Sequence, residues 1–240
     1  MLTYAEVVSK AKSSIAHRDN YKNKHVIYKE CPTWVKGNQI NLWSYWQGYQ
    51  IKYIDNGIDI LLVGQDWGNP DNNPSVIDDI NKIQEGEEVF YDSSVSLTDR
   101  NLVELFGCLG CNIASKDSGK RILFTNYSLG YREGSETGGM TKSLMRQDSE
   151  LFNDLVMAVK PRIIICLGKL TYEMVAGKTI KGFVKWLKNG EPFVTQYPLN
   201  ENITVYGVAH PGSRGTYNVG GKETMLQIWE KIAEREGYKK

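Results

Sequence analysis

Ile58-Asp59-Ile60-Leu61-Leu62-Val63, followed at once by Gly64-Gln65-Asp66-Trp67-Gly68, is the stretch on which the fold turns. An almost unbroken apolar run of strand length, closed by glycine and polar residues, reads as a strand buried on both faces. Three more such runs follow at residues 121–125, 162–167 and 203–208. Between them the apolar period becomes helical: at 97–106, with Thr98 or Asp99 as candidate cap, at 147–159 before Pro161, and at 169–176. A last helix at 222–236 sets Met225, Ile228, Trp229 and Ile232 on one face. Strands alternating with helices predict a three-layer α/β/α fold around a short, mainly parallel central sheet. The reading is one domain over 1–240, with residues 1–52 as a helical N-terminal extension packed against it.

Composition narrows the function classes. Lys+Arg number 29 against 28 Asp+Glu, a net charge of +1, so no global basic excess announces nucleic-acid binding and any such contact must come from a local patch. The opening MLTYAEVVSKAKSS has no apolar core of a secretion signal, and no stretch approaches the ~20 apolar residues of a membrane span. A cytoplasmic protein is expected, with reduced thiols at Cys31, Cys108, Cys111 and Cys166.

In a parallel sheet ligands gather beyond the carboxyl ends of the strands. That rule selects Gly64 to Gly68 after the first run, Asn126-Tyr127 after the second, Gly168 after the third and Ala209-His210-Pro211-Gly212 after the fourth. A carboxylate, an amide and an imidazole are thereby expected on one rim. Such a set suits cleavage of an N-glycosidic bond. A carboxylate stabilises oxocarbenium character in the sugar and orients a water, while donors meet the charge that develops on the leaving base. Asp66 fits the first task, His210 the second, and the Asn126 amide offers both a donor and an acceptor to a pyrimidine edge.

These segments carry a resemblance. Ile60-Leu-Leu-Val-Gly-Gln-Asp66-Trp-Gly resembles the first motif of the uracil-DNA glycosylase superfamily, an apolar strand ending in GQDPY, GEAPG or GINPG. Ile122-Leu-Phe-Thr-Asn126 resembles the strand ending in the asparagine that reads uracil, and Lys160-Pro-Arg-Ile-Ile-Ile-Cys-Leu-Gly168 resembles a strand of the thermophilic iron-sulfur branch. Tyr206-Gly-Val-Ala-His210-Pro-Gly-Ser resembles the HPS motif, and the four stand in the family's order over roughly the last three quarters of the chain. The resemblance implies base excision for DNA repair. The enzyme would flip a uracil or related damaged base out of DNA and hydrolyse its glycosidic bond, as a cytoplasmic monomer without cofactor, metal or membrane. It implies Asp66 and His210 as catalytic groups, Gly64, Gln65, Trp67, Gly68 and Asn126 on the substrate, and Ser213 and Arg214 on the DNA.

The departures bear on specificity. Trp67 replaces the proline of GQDPY, and Gly68 replaces the tyrosine that blocks the methyl group of thymine, so bases larger than uracil are expected to enter unless Trp67 or another aromatic refills the space. Arg214 aligns with the intercalating leucine, and Phe90, Tyr91, Trp67 and Tyr127 are the candidates to stack on the base. Another reading of the same fold is a protein that binds nucleic acid or a free base without cleaving it.

Plainer roles stand beside these. Asp66 could cap the next helix, Asn126 could hold a left-handed turn, and His210 could be a loop or core histidine. Cys108-x-x-Cys111 could be half of a metal or redox site, but its spacing departs from that of the iron-sulfur branch, and Cys166 in its apolar run reads as core. Gly134-x-x-x-x-Gly139 has Met140 where a phosphate loop needs lysine, and no G-x-S-x-G elbow occurs. The aromatics Trp43, Tyr45, Trp46 and Tyr49 fit a packed N-terminal face better than a stack on single strands.

Overall fold

The run at 58 becomes an interior strand of the main sheet. A computed structural model describes residues 1–15, 22–23, 26–29, 56–66, 96–115, 118–128, 131–132 and 140–238. In chain order the elements are α1 (Tyr4–Ile15), β1 (Lys22–Asn23), β2 (Val26–Lys29), β3 (Ile58–Gly64), α2 (Leu97–Cys108), β4 (Ile122–Asn126), β5 (Tyr131–Arg132), α3 (Lys142–Arg146) and α4 (Ser149–Val159). There follow β6 (Pro161–Leu167), α5 (Lys169–Val175), α6 (Phe183–Leu187), β7 (Phe193–Tyr197), β8 (Asn200–Val208), α7 (Ser213–Val219) and α8 (Lys222–Glu236). The main sheet has the order β4-β3-β6-β8-β7. Its first four strands are mutually parallel, and β7 closes one edge antiparallel to β8. This is the α/β architecture expected, a mostly parallel sheet between helical layers.

Burial explains why β3 and β6 sit inside. Ile60, Leu61, Leu62, Val63, Ile163, Ile164 and Ile165 are each fully buried, so side chains on both faces of these strands leave water. Each contributes about 1.5–3 kcal/mol of transfer free energy, which an edge strand with one wet face cannot match. One face takes α2 and α8, where Phe106 meets Trp229 edge-on at 5.2 Å and the Tyr206 hydroxyl donates to Glu236 at 2.6 Å. On α8, Met225, Ile228, Trp229 and Ile232 are all buried, as their spacing predicts. The other face takes α5, whose Tyr172 ring lies where a side chain at Gly207 would project.

Several local expectations change. The cap of α2 is Ser96, whose hydroxyl accepts the Asp99 N–H at 3.2 Å, and not Thr98 or Asp99. The helix expected at 147–159 is α4, which starts at Ser149, and the short α3 before it lies outside the expected span. The N-terminal segment is helical only in part: Val26–Lys29 is extended and joins a small sheet of order β1-β2-β5, in keeping with its β-branched and aromatic residues. Strand β7 was not expected, because its burial alternates as an edge strand's does. Among the described residues no helix is long and apolar enough to cross a membrane.

Candidate functional site

The parallel register brings the ends of β3 and β4 level. Gly64 pairs with Asn126, and the pairing runs on through the Tyr127 N–H to the Gly64 carbonyl at 2.9 Å and the Ser128 N–H to the Gln65 carbonyl at 3.0 Å. Because directly paired residues project to the same face, Asn126 lies over Gly64, and a Cβ added there would overlap Asn126 Oδ1. Glycine is thus required by contact rather than by backbone angle: the bare Cα makes room for the amide. Asn126 is buried to 5% exposure on the face that α2 and α8 cover. Gly64→Ala should displace the amide and destabilise the fold by about 1–3 kcal/mol, as overpacking does. Asn126→Ala in the same chain should recover much of that loss, checked by urea unfolding of both single variants and the double.

Asp66 and Gln65 follow in the bend after β3, both half-buried, with Gln65 Nε2 donating to Asp66 Oδ1 at 3.0 Å. Gln65 therefore acts on Asp66 through its side chain, orienting one carboxylate oxygen. Trp67 and Gly68 lie outside the described residues, as do Phe90, Tyr91, Cys31, the aromatics at 43–49 and Gly134 to Gly139.

His210 stands two residues beyond β8, on the same carboxyl edge. One strand, β6, separates β8 from β3, so at the level of the sheet the histidine is two spacings, about 10 Å, across from Asp66. The structure thus brings Asp66, Gln65 and Asn126 together and places His210 across the same rim from them. His210 Nδ1 accepts the Gly212 N–H at 3.0 Å. An acceptor Nδ1 fixes the neutral tautomer with its proton on Nε2, free to donate outward. Desolvation lowers the imidazole pKa, although the residue keeps an exposed side; the Gly212 N–H acts in the same direction because it favours the unprotonated nitrogen.

The loop is fastened to α2 by residues the sequence did not single out. Asn101, 5% exposed, donates from Nδ2 to the Pro211 carbonyl at 2.6 Å. Asn101→Ala would strip that buried carbonyl of its main donor, an expected loss of about 1–3 kcal/mol readable as a lower urea midpoint. Gly215 supports the loop from α7: a Cβ there would stand 2.9 Å from the His210 carbonyl carbon and 3.1 Å from its nitrogen. Ser213 and Arg214, on the first turn of α7, are exposed, and Tyr217 on the same helix is 85% exposed. Nothing in a one-dimensional pattern marks Asn101 or Gly215, whereas the aromatic at Tyr217 so soon after the histidine motif was visible.

Cys166 is fully buried in β6, Cys108 Sγ contacts the Glu104 carbonyl, and burial pushes the Cys111 thiol up to about 12. The three described cysteines are free thiols, and no group of three potential metal ligands occurs among the described residues.

No family model and no curated protein matches the chain.

Proposed function

We propose that the protein is a DNA glycosylase of the uracil-DNA glycosylase type, hydrolysing the N-glycosidic bond of uracil or a related damaged base. The observation that carries the reading is the pairing of two features on one sheet edge: an amide seated over the glycine of GQD, and a histidine held as the neutral Nε2–H donor. The chain carries no G-x-S-x-G elbow of the kind a serine hydrolase uses. A glycosidic bond needs only a carboxylate, a water and a donor to the departing base.

In the proposed reaction Asp66, oriented by Gln65, faces the deoxyribose and a water. As the bond from C1′ to the base nitrogen breaks, the electron pair stays with the base. His210 Nε2–H hydrogen-bonds the carbonyl oxygen where that charge collects, and Asn126 reads the base edge. Water then adds to C1′ and its proton passes to the carboxylate. Ser213, Arg214 and the exposed Tyr217 supply the surface for the duplex, with Arg214 on a phosphate and Tyr217 suited to stack in the gap a flipped base leaves. The free thiols accord with a cytoplasmic setting. No cofactor is needed for any step.

The test is incubation of the protein with oligonucleotides carrying uracil, hypoxanthine, xanthine or a mismatched thymine, followed by alkaline scission of abasic sites. Scission at one or more of these bases is expected. Retention of every oligonucleotide uncut, with binding intact, would replace the enzyme by the non-cleaving binder.

A further inference from the structure

A concavity of about 360 Å³ lies among α3, α4, α5 and the turn at Pro198-Leu199. It is on the face of the sheet that carries α5, opposite the face to which Asn126 projects. Its size is at the low end for small-ligand sites.

The charges around it do not cancel. Three cations, Lys142, Arg146 and Lys178, line the pocket against one carboxylate, Glu173. Burial disfavours the Glu173 charge, but Lys142 at 2.7 Å, the Ile180 N–H at 2.8 Å and Lys169 at 3.7 Å outweigh it and hold the carboxyl below its usual range. Glu173 is therefore ionised and fully engaged. Lys178 Nζ donates to the Thr195 hydroxyl at 2.8 Å and has no acidic partner among the described residues. Arg146 is exposed and has no acidic partner among the described residues. The nearby acids Glu150 and Asp154 of α4 are taken by Lys10, each at 2.6 Å. Two cations without an acidic partner among the described residues thus line one hollow of a chain whose whole net charge is +1.

One more feature suits an anion. The Tyr197 hydroxyl is spent on Asn153 Oδ1 at 2.6 Å, leaving the Asn153 NH2 as a neutral donor on the wall. Met174, Leu199 and the two tyrosine rings supply apolar surface beside these groups.

We infer that this pocket binds a phosphomonoester of a small organic molecule. A dianion matches the two cations, the Arg146 guanidinium fork fits two phosphate oxygens at once, and the apolar wall takes the organic body.

Isothermal titration of the full chain at low salt tests this with four probes: thymidine monophosphate, inorganic phosphate, sulfate and thymidine. The monophosphate is expected to bind saturably and at least tenfold more tightly than inorganic phosphate or sulfate, with thymidine not binding. Arg146→Gln should weaken the monophosphate by about tenfold with an unchanged melting temperature, Lys178→Gln should weaken it likewise, and His210→Ala should leave it unaltered. Inorganic phosphate binding as tightly as the monophosphate would overturn the organic body. Absence of saturable binding, or binding that falls with His210→Ala but not with Arg146→Gln, would overturn the site itself.

Discussion

His210→Ala is expected to slow base release by about 10²–10³-fold in single-turnover assays on a uracil oligonucleotide, because one preorganised donor to a developing oxyanion is worth that much. Asp66→Asn is expected to cost a comparable or larger factor, about 10²–10⁴, since the amide has the shape of the carboxylate but neither its charge nor its basicity. The two can be told apart by pH. In the proposed reaction His210 acts as the neutral Nε2–H donor with Nδ1 bonded to the Gly212 N–H, and protonation would turn Nδ1 into a second donor facing that amide. Since desolvation holds the folded pKa below the ordinary 6.5, the wild-type rate should stay level down through that value and fall only in more acid solution. Stability follows the same sign. The unfolded histidine takes a proton near 6.5 while the folded one resists, so the folded state loses ground as pH drops from about 6.5 towards the lowered value. His210→Gln should flatten that limb of the stability profile. A wild-type rate that declines already above pH 7 would show that the histidine is not held neutral and would remove the basis for its assigned role.

Parallel strands buried on both faces were the most legible part of this chain, since a strand with no wet face must be apolar at nearly every position. The expected run at 58–63 is the strand Ile58–Gly64, and that at 162–167 is Pro161–Leu167. The edge strand Phe193–Tyr197 escaped notice because only alternate residues face the protein and its polar Thr195 and Gln196 imitate a loop. Short helices such as Phe183–Leu187 carry too few turns to show a period. The rim of the site was legible for a related reason: in an alternating chain, the residues after each strand must fall at one edge of the sheet. What could not be read was how the rim is held. The seat of Asn126 over Gly64 joins residues 62 positions apart, and the bond from Asn101 to Pro211 spans 110. Those distances along the chain leave no trace in local pattern, and a glycine needed for contact looks the same in sequence as one needed for a turn.

Gly215→Ala should be the most damaging of the small substitutions outside the reacting groups. Gly215 sits in the first turn of α7 directly against the backbone of His210, so an added methyl would overlap the His210 carbonyl oxygen as well as crowding its carbon and nitrogen. A flexible side chain could swing away from such a clash, but a peptide carbonyl cannot, and its neighbour Pro211 is tied by its own carbonyl to Asn101. The loop must therefore shift as a unit, taking the imidazole with it. Displacement of a positioned group by about 1 Å costs roughly 10²-fold in rate. Gly215→Ala is thus expected to lower the single-turnover rate by about that factor, with substrate binding changed much less, because Ser213 and Arg214 remain on an intact surface helix. Gly107→Ala is the internal comparison. That glycine lies in α2 with nothing within 4 Å of where a Cβ would stand, so the same substitution there should raise stability by up to about 1 kcal/mol through better helix propensity and leave the rate unaltered. Equal rates for the two variants, both folded, would show that the backbone of α7 does not position His210.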